Sequence, residues 1–121
     1  MQLNSLSAIS PIDGRYFSTT APLSNYFSEY ALIRYRVRVE IEYFIALSEQ
    51  PIPGVKIFPK KSVPILRSWY NDFNEEAAER VKKIEATTNH DVKAVEYFLK
   101  EKFSQNGWDV YKEFIHFGLT S

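Results

Sequence analysis

Apolar residues recur at helical spacing along most of this chain. Val92, Val95, Phe98 and Leu99 form one stripe, and Leu66, Trp69, Tyr70 and Phe73 another, each on a stretch free of Gly and Pro. Between residues 23 and 50 there is again neither Gly nor Pro past Leu23, which is long for a strand and comfortable for a helix. Against that, Ile33, Tyr35, Val37, Val39, Ile41 and Tyr43 alternate as strictly as in any strand. Length decides for a helix. On it those residues fall into two stripes on opposite sides, which suits an element packed on both faces. The pattern predicts an all-α chain.

Punctuation between the stripes sets the expected boundaries. Residues 1–22 carry Pro11, Gly14 and Pro22 among many Ser and Thr and read as an irregular segment, turning at Pro11-Ile12-Asp13-Gly14; residues 23–121 read as helices. A loop is expected over 51–61, where Pro51, Pro53, Gly54 and Pro59 cluster. Ser62 before Val63-Pro64 opens a helix. Asn74 before Glu75 and Glu76 opens the next, running through Val81 and Ile84 to Ala86 with Lys82 and Lys83 near its end, as the helix dipole prefers. Thr88, with Asp91 three residues on, is expected to cap a helix from Asp91 to about Phe103. After a turn at Gln105-Asn106-Gly107, Asp109 is expected to cap a short helix from Val110 to Phe117, ended by Gly118.

Charge narrows the function classes. Fifteen basic residues balance fifteen acidic ones in 121 residues, so no global field recommends a nucleic acid or an anionic membrane. Arg34, Arg36 and Arg38 make a basic row, but Glu40 and Glu42 continue it with opposite sign. With Arg36 and Glu40, and Arg38 and Glu42, one turn apart, it reads as a solvated, salt-bridged face. Zero cysteines exclude a disulfide framework, two unrelated His make no convincing metal site, and no cofactor is expected. The apolar runs are broken by charge before bilayer-spanning length, so a cytoplasmic soluble protein is the expectation. At 45% hydrophobic and 16% aromatic residues, the length suits one domain with a core.

Candidate chemistry sits at the ends of elements. Arg15 follows the Pro11–Gly14 turn, where a guanidinium can fork onto phosphate or carboxylate and Tyr16 can add a phenolic donor; a solvated Arg beside a packed Tyr fits those residues equally well. Asn89, His90 and Asp91 stand at the expected mouth of a helix, whose unpaired N–H groups and positive dipole end favour an anion and a neutral imidazole. Simple capping by Thr88 and Asn89 is the competing reading. Thr120 and Ser121 follow Gly118 and can present hydroxyls and N–H groups. Glu75, Glu76 and Glu79 are explained by capping and solubility, and His116, between Ile115 and Phe117, reads as a packed, hydrogen-bonded histidine. Such donors bind and orient anions, and nothing among them abstracts a carbon-bound proton.

Three motifs in order carry a resemblance: Ser10-Pro11-Ile12-Asp13-Gly14-Arg15-Tyr16, Thr87-Thr88-Asn89-His90-Asp91-Val92-Lys93-Ala94-Val95-Glu96-Tyr97-Phe98, and Glu113-Phe114-Ile115-His116-Phe117-Gly118-Leu119-Thr120-Ser121. Together they resemble the bacterial branch of the adenylosuccinate lyase family, in the fumarase/aspartase superfamily. The resemblance implies the N-terminal helical domain, residues 1–121, of an enzyme whose central bundle and C-terminal domain lie beyond Ser121. It further implies a homotetramer that cleaves adenylosuccinate to AMP and fumarate, and the related imidazole carboxamide succinyl nucleotide (SAICAR) to its amide and fumarate. Arg15, Tyr16, Asn89, His90, Asp91, Thr120 and Ser121 would bind substrate. The general acid His and the base Ser would both lie outside this chain, so the segment alone is expected to be inactive. Another fumarate-releasing lyase and a non-catalytic helical interaction module are the competing expectations.

Overall fold

The computed structural model describes residues 2–120, and among them all regular structure is helical. The expected binding residue Ser121 lies outside the described residues. The chain forms two compact units, one ending at Leu32 and the other running from Ile33.

In the first unit a series of turns leads into α1 (Phe17–Thr20), a 3-10 turn (Ala21–Leu23) and α2 (Ser24–Phe27). The stretch from residue 23 to 50 is not one helix, because Ser28 is extended and its Oγ accepts the Ala31 N–H at 3.1 Å. That cap starts α3 (Glu29–Ser48) afresh, with Glu29 on its first turn as the dipole prefers.

The strand-like alternation of α3 is two interleaved rows of i, i+4 neighbours. Ile33, Val37 and Ile41 are buried with Phe44 and Ile45, whereas Val39, on the other row, is 62% exposed. Tyr35 and Tyr43, on the same row as Val39, are half-buried, so the second expected face is covered only in part. The solvated ladder along α3 is also absent in the form expected. Glu42 instead takes both Arg67 Nε (3.0 Å) and Nη2 (3.1 Å) with the Tyr70 hydroxyl (2.8 Å), and Arg34 Nε donates to the Tyr70 carbonyl at 3.0 Å. Arg36 goes to Asp91 and Glu40 to His116. A forked guanidinium–carboxylate pair between helices has better geometry than two long side chains one turn apart, so tertiary partners win.

A 3-10 turn (Lys60–Ser62) leads into α4 (Val63–Asn71), which Ser62 does not cap with its side chain. α5 (Glu75–Thr88) starts as expected, with Asn74 accepting the Ala77 N–H at 2.8 Å, but runs past Ala86. α6 (Asp91–Gln105) returns beside it, burying Ala94, Val95, Phe98, Leu99 and Phe103. At its end Gly107, at φ 72°, lets the Trp108 N–H reach back to the Phe103 carbonyl at 2.9 Å. This left-handed stop turns the indole onto the core. The Phe103 ring lies 5.0 Å from Phe44, 5.7 Å from Trp69 and 5.8 Å from Trp108, and Phe58 is 4.9 Å from Trp108, all edge-on.

Beyond this point the expected helix from Val110 to Phe117 shrinks to a 3-10 turn (Lys112–Phe114). Asp109 does not cap it. Its carboxylate accepts the Ser104 hydroxyl (2.7 Å) and Lys112 Nζ (3.1 Å), while His116 and Gly118 both take left-handed backbone, at φ 62° and 77°, which no α-helix accommodates.

Candidate functional site

Arg15 is delivered by a turn built in layers. The Asp13 carboxylate accepts the Ser10 N–H at 2.8 Å and the Ile9 N–H at 3.3 Å, and these bonds, Ser10's first, hold it below the usual carboxylate range. Gly14 donates to the Ser10 carbonyl at 3.0 Å, and Tyr16 to that of Pro11 at 2.8 Å. Only glycine fits at 14, because a Cβ there would stand 2.7 Å from the Ser5 carbonyl oxygen. The result exposes Arg15 and Tyr16 together, the guanidinium 5.2 Å from the phenol ring centroid. A cation resting on an aromatic face keeps its in-plane N–H groups for an anion.

The second cluster departs from expectation in its capping. α5 continues to Thr88 and is closed by Asn89, which sits at φ 53° in the left-handed conformation that Asn tolerates, its N–H returning to the Glu85 carbonyl at 2.8 Å. His90, not Thr88, then caps α6: its Nδ1 accepts the Lys93 N–H at 3.1 Å. Thr88 instead braces the loop, its hydroxyl donating to the His90 carbonyl (3.1 Å) and accepting the His90 N–H (3.2 Å). Asp91 Oδ1 accepts the Val92 N–H at 2.8 Å, and Oδ2 the Arg36 guanidinium at 2.9 Å; together, the Val92 bond first, they hold its carboxyl below the usual range.

The helix mouth is therefore not a row of bare amides. Val92 and Lys93 spend their N–H groups on the side chains of Asp91 and His90. Whatever binds here meets side chains. With Nδ1 accepting, the neutral ring carries its proton on Nε2, so His90 caps with one nitrogen and offers a donor with the other. The Asn89 amide has no hydrogen bond within the described chain and is exposed. Arg36, which charge spacing had assigned to a solvated face, is brought to this mouth by Asp91. No local signal in α3 could have revealed it, since its partner is 55 residues away.

The third cluster is represented by Thr120, exposed and irregular after Gly118. Behind it lies a buried pair that sequence reasoning left out of the site, His116 Nδ1 and Glu40 Oε1 at 2.6 Å. Arg15 and Tyr16 belong to the first unit, and Asn89 to Asp91 with Thr120 to the second. Among the described residues no group of His, Asp or Glu is placed to hold a metal ion, and no helix is long and apolar enough to cross a membrane.

Two turns thus present Arg, Tyr, His and Asn donors, and the carboxylates described beside them, Asp13 and Asp91, are engaged by backbone N–H groups and, at Asp91, by Arg36. Comparison with known proteins supplies the rest. No family model matches the chain. Among curated proteins, an adenylosuccinate lyase from Dictyostelium discoideum is 55% identical to it over 127 residues, and those of Legionella pneumophila strain Corby and Escherichia coli K12 are 50% and 46% identical over 125 and 123 residues. Each alignment covers the whole of this chain. The chain is a relative of the adenylosuccinate lyases. It spans 27% of their length, and the lyase relatives are matched by the segment that holds all three polar clusters.

Proposed function

We propose that this segment is the N-terminal substrate-binding domain of an adenylosuccinate lyase. The observation that carries the reading is identity of 46–55%, in alignments that cover the whole chain, to enzymes of that name, in a segment whose turns offer anion donors beside carboxylates that are already engaged. The reaction is a β-elimination. A base removes the proton next to a carboxylate of the succinyl group, the C–N bond breaks, and its electrons leave with the nitrogen of the purine, or of the imidazole carboxamide. Fumarate and AMP, or fumarate and the amide, are released. Both substrates carry a phosphate and two carboxylates.

Within that division of labour Arg15 forks onto an anionic group of the substrate with Tyr16 beside it, His90 donates through Nε2, and Asn89 adds its amide. Asp91 acts by holding Arg36 at the rim and starting α6. Thr120 and Ser121 contribute hydroxyls. The general acid and base come from the rest of a full-length enzyme, a cytoplasmic homotetramer whose sites join several subunits.

A chimaera tests this. Residues 1–121 replace the matching segment of the Escherichia coli lyase, and fumarate release from adenylosuccinate is followed. Turnover within about tenfold of the parent is expected, whereas the 121-residue chain alone turns over nothing. A folded chimaera without activity would overturn the reading.

A further inference from the structure

Glu40 and His116 form an ion-pair contact whose side chains are only 7% and 10% exposed, yet each leaves an atom without a partner, Glu40 Oε2 and His116 Nε2. Burying a carboxylate with half its acceptors unused is a poor way to stabilise a core, and apolar residues of similar size would serve as well. The contact is better understood by what it holds. His116 has left-handed backbone at φ 62°, a conformation uncommon for any residue but Gly even though His enters it more readily than most, and Gly118 follows at 77°. One turn along α3 from Glu40, the Tyr43 hydroxyl donates to the Phe117 carbonyl at 2.5 Å, and lies 3.6 Å from where a Cβ on Gly118 would be. The Leu119 N–H closes the turn onto the His116 carbonyl at 3.1 Å. α3 thus holds this turn at two points, the His116 ring and the Phe117 carbonyl, and the next residues along are Leu119 and the exposed Thr120.

We propose that Glu40 is a positioning residue: through His116 it fixes the left-handed turn that sets where Thr120 presents its hydroxyl. With Glu40 ionised, the 2.6 Å contact requires the proton on His116 Nδ1, which locks ring orientation and, through it, the backbone. Remove the carboxylate and the ring loses its reason to stay buried. The turn then relaxes to ordinary φ and carries Thr120 with it. The inference rests on the substrate-binding reading only for its kinetic consequence; the structural consequence stands by itself.

In the 121-residue chain, Glu40→Ala is expected to move the amide resonances of residues 116–120 and the ring nitrogens of His116, leaving those of α5 unchanged. Glu40→Gln, which still accepts a hydrogen bond, is expected to restore most of the wild-type pattern. In an active chimaera, Glu40→Ala lowers kcat/KM by about tenfold or more, and Glu40→Gln recovers most of it. If Glu40→Ala does not fold, Glu40→Met, which is of similar size and has no acceptor for the His116 ring, carries the test with the same expected shifts over residues 116–120 and the same loss of kcat/KM. Unmoved 116–120 resonances in the folded variants, or kcat/KM within twofold of wild type, would overturn the proposal. An inactive wild-type chimaera rejects the lyase reading instead and leaves the resonances to decide the role of Glu40.

Discussion

His90 caps α6 through Nδ1, and in the proposed function it also donates to substrate through Nε2; two substitutions separate these tasks. His90→Ala removes the cap that Nδ1 gives the Lys93 N–H, together with the Nε2 donor. Loss of a side-chain cap costs about 1 kcal/mol, which for a domain of this size lowers the melting temperature by about 3–5 °C. His90→Asn restores the cap, since Asn is among the best residues at that position, but its shorter side chain does not deliver a donor where Nε2–H stands. The stability of the two variants should therefore part, with Asn near wild type and Ala below it.

Function should not part with it. A hydrogen bond from Nε2 to an anionic substrate is worth about 1.5–3 kcal/mol, so both variants should lose about 10- to 150-fold in kcat/KM in the chimaera. Urea or thermal unfolding followed by circular dichroism reads the first effect, and fumarate release the second. If His90→Asn recovers kcat/KM to within twofold of wild type, His90 is a cap and nothing more, and the donor role falls.

Three further outcomes follow from the packing and the charges. Phe103→Ala should cost about 3–5 kcal/mol, because the ring is buried among Phe44, Trp69 and Trp108; the chain's two tryptophans both touch it, so a red-shifted emission and an earlier urea midpoint should appear together, and a loss below 1 kcal/mol would contradict this packing. Gly14→Ala should disrupt the Arg15 turn, with faster amide exchange over residues 10–17 and a raised KM in the chimaera while the fold melts nearly as before; an unchanged KM would mean that Arg15 does not need that turn. The Glu42 carboxyl is held below its ordinary value of 4.5 by Arg67 first and then Tyr70, so its contribution is complete above that value and lost as pH falls through the lower folded one. Glu42→Gln should flatten the decline of the urea midpoint with acid over that range, and an equally steep decline in the variant would remove Glu42 from the account.

The parts of this molecule that were legible in advance are those whose causes are local. Asn74 caps α5 as its neighbours suggest, Gly107 ends α6, and the Pro11–Gly14 turn closes with Asp13 inside it. The same local logic, applied more carefully, would have found Ser28, a good cap followed by an acidic residue, and so the break before α3. At the α5–α6 junction two local rules competed. Thr88 and Asp91 have the spacing of a cap, but Asn89 is the residue that closes a helix in the left-handed conformation, and once it does so the next helix must be capped from His90. The three motifs read as a resemblance located the family, because they preserve residue order from end to end even where single residues are ambiguous.

What the pattern could not reveal are the partners of the charges on α3. Arg36 with Glu40, and Arg38 with Glu42, stand at spacings that make ready companions, yet Arg36, Glu40 and Glu42 each go elsewhere: to Asp91, to His116 and to Arg67. Those choices are made by the packing of helices far apart in sequence, which brings a better hydrogen-bonding geometry than any neighbour on the same helix. They bear on function because two of the three end at polar clusters. Arg36 reaches the His90 mouth through Asp91, and Glu40 lies behind Thr120 through His116. α3, which on sequence looks like a packed helix with a solvated face, is thereby the element from which two polar turns are held. Arg36 and Glu40 tie down positions that their own local geometry leaves free, at Asp91 by an ion pair and at His116 by a buried contact. A substitution on α3 that leaves the helix intact should therefore be felt first at the loops, before it is felt in the core.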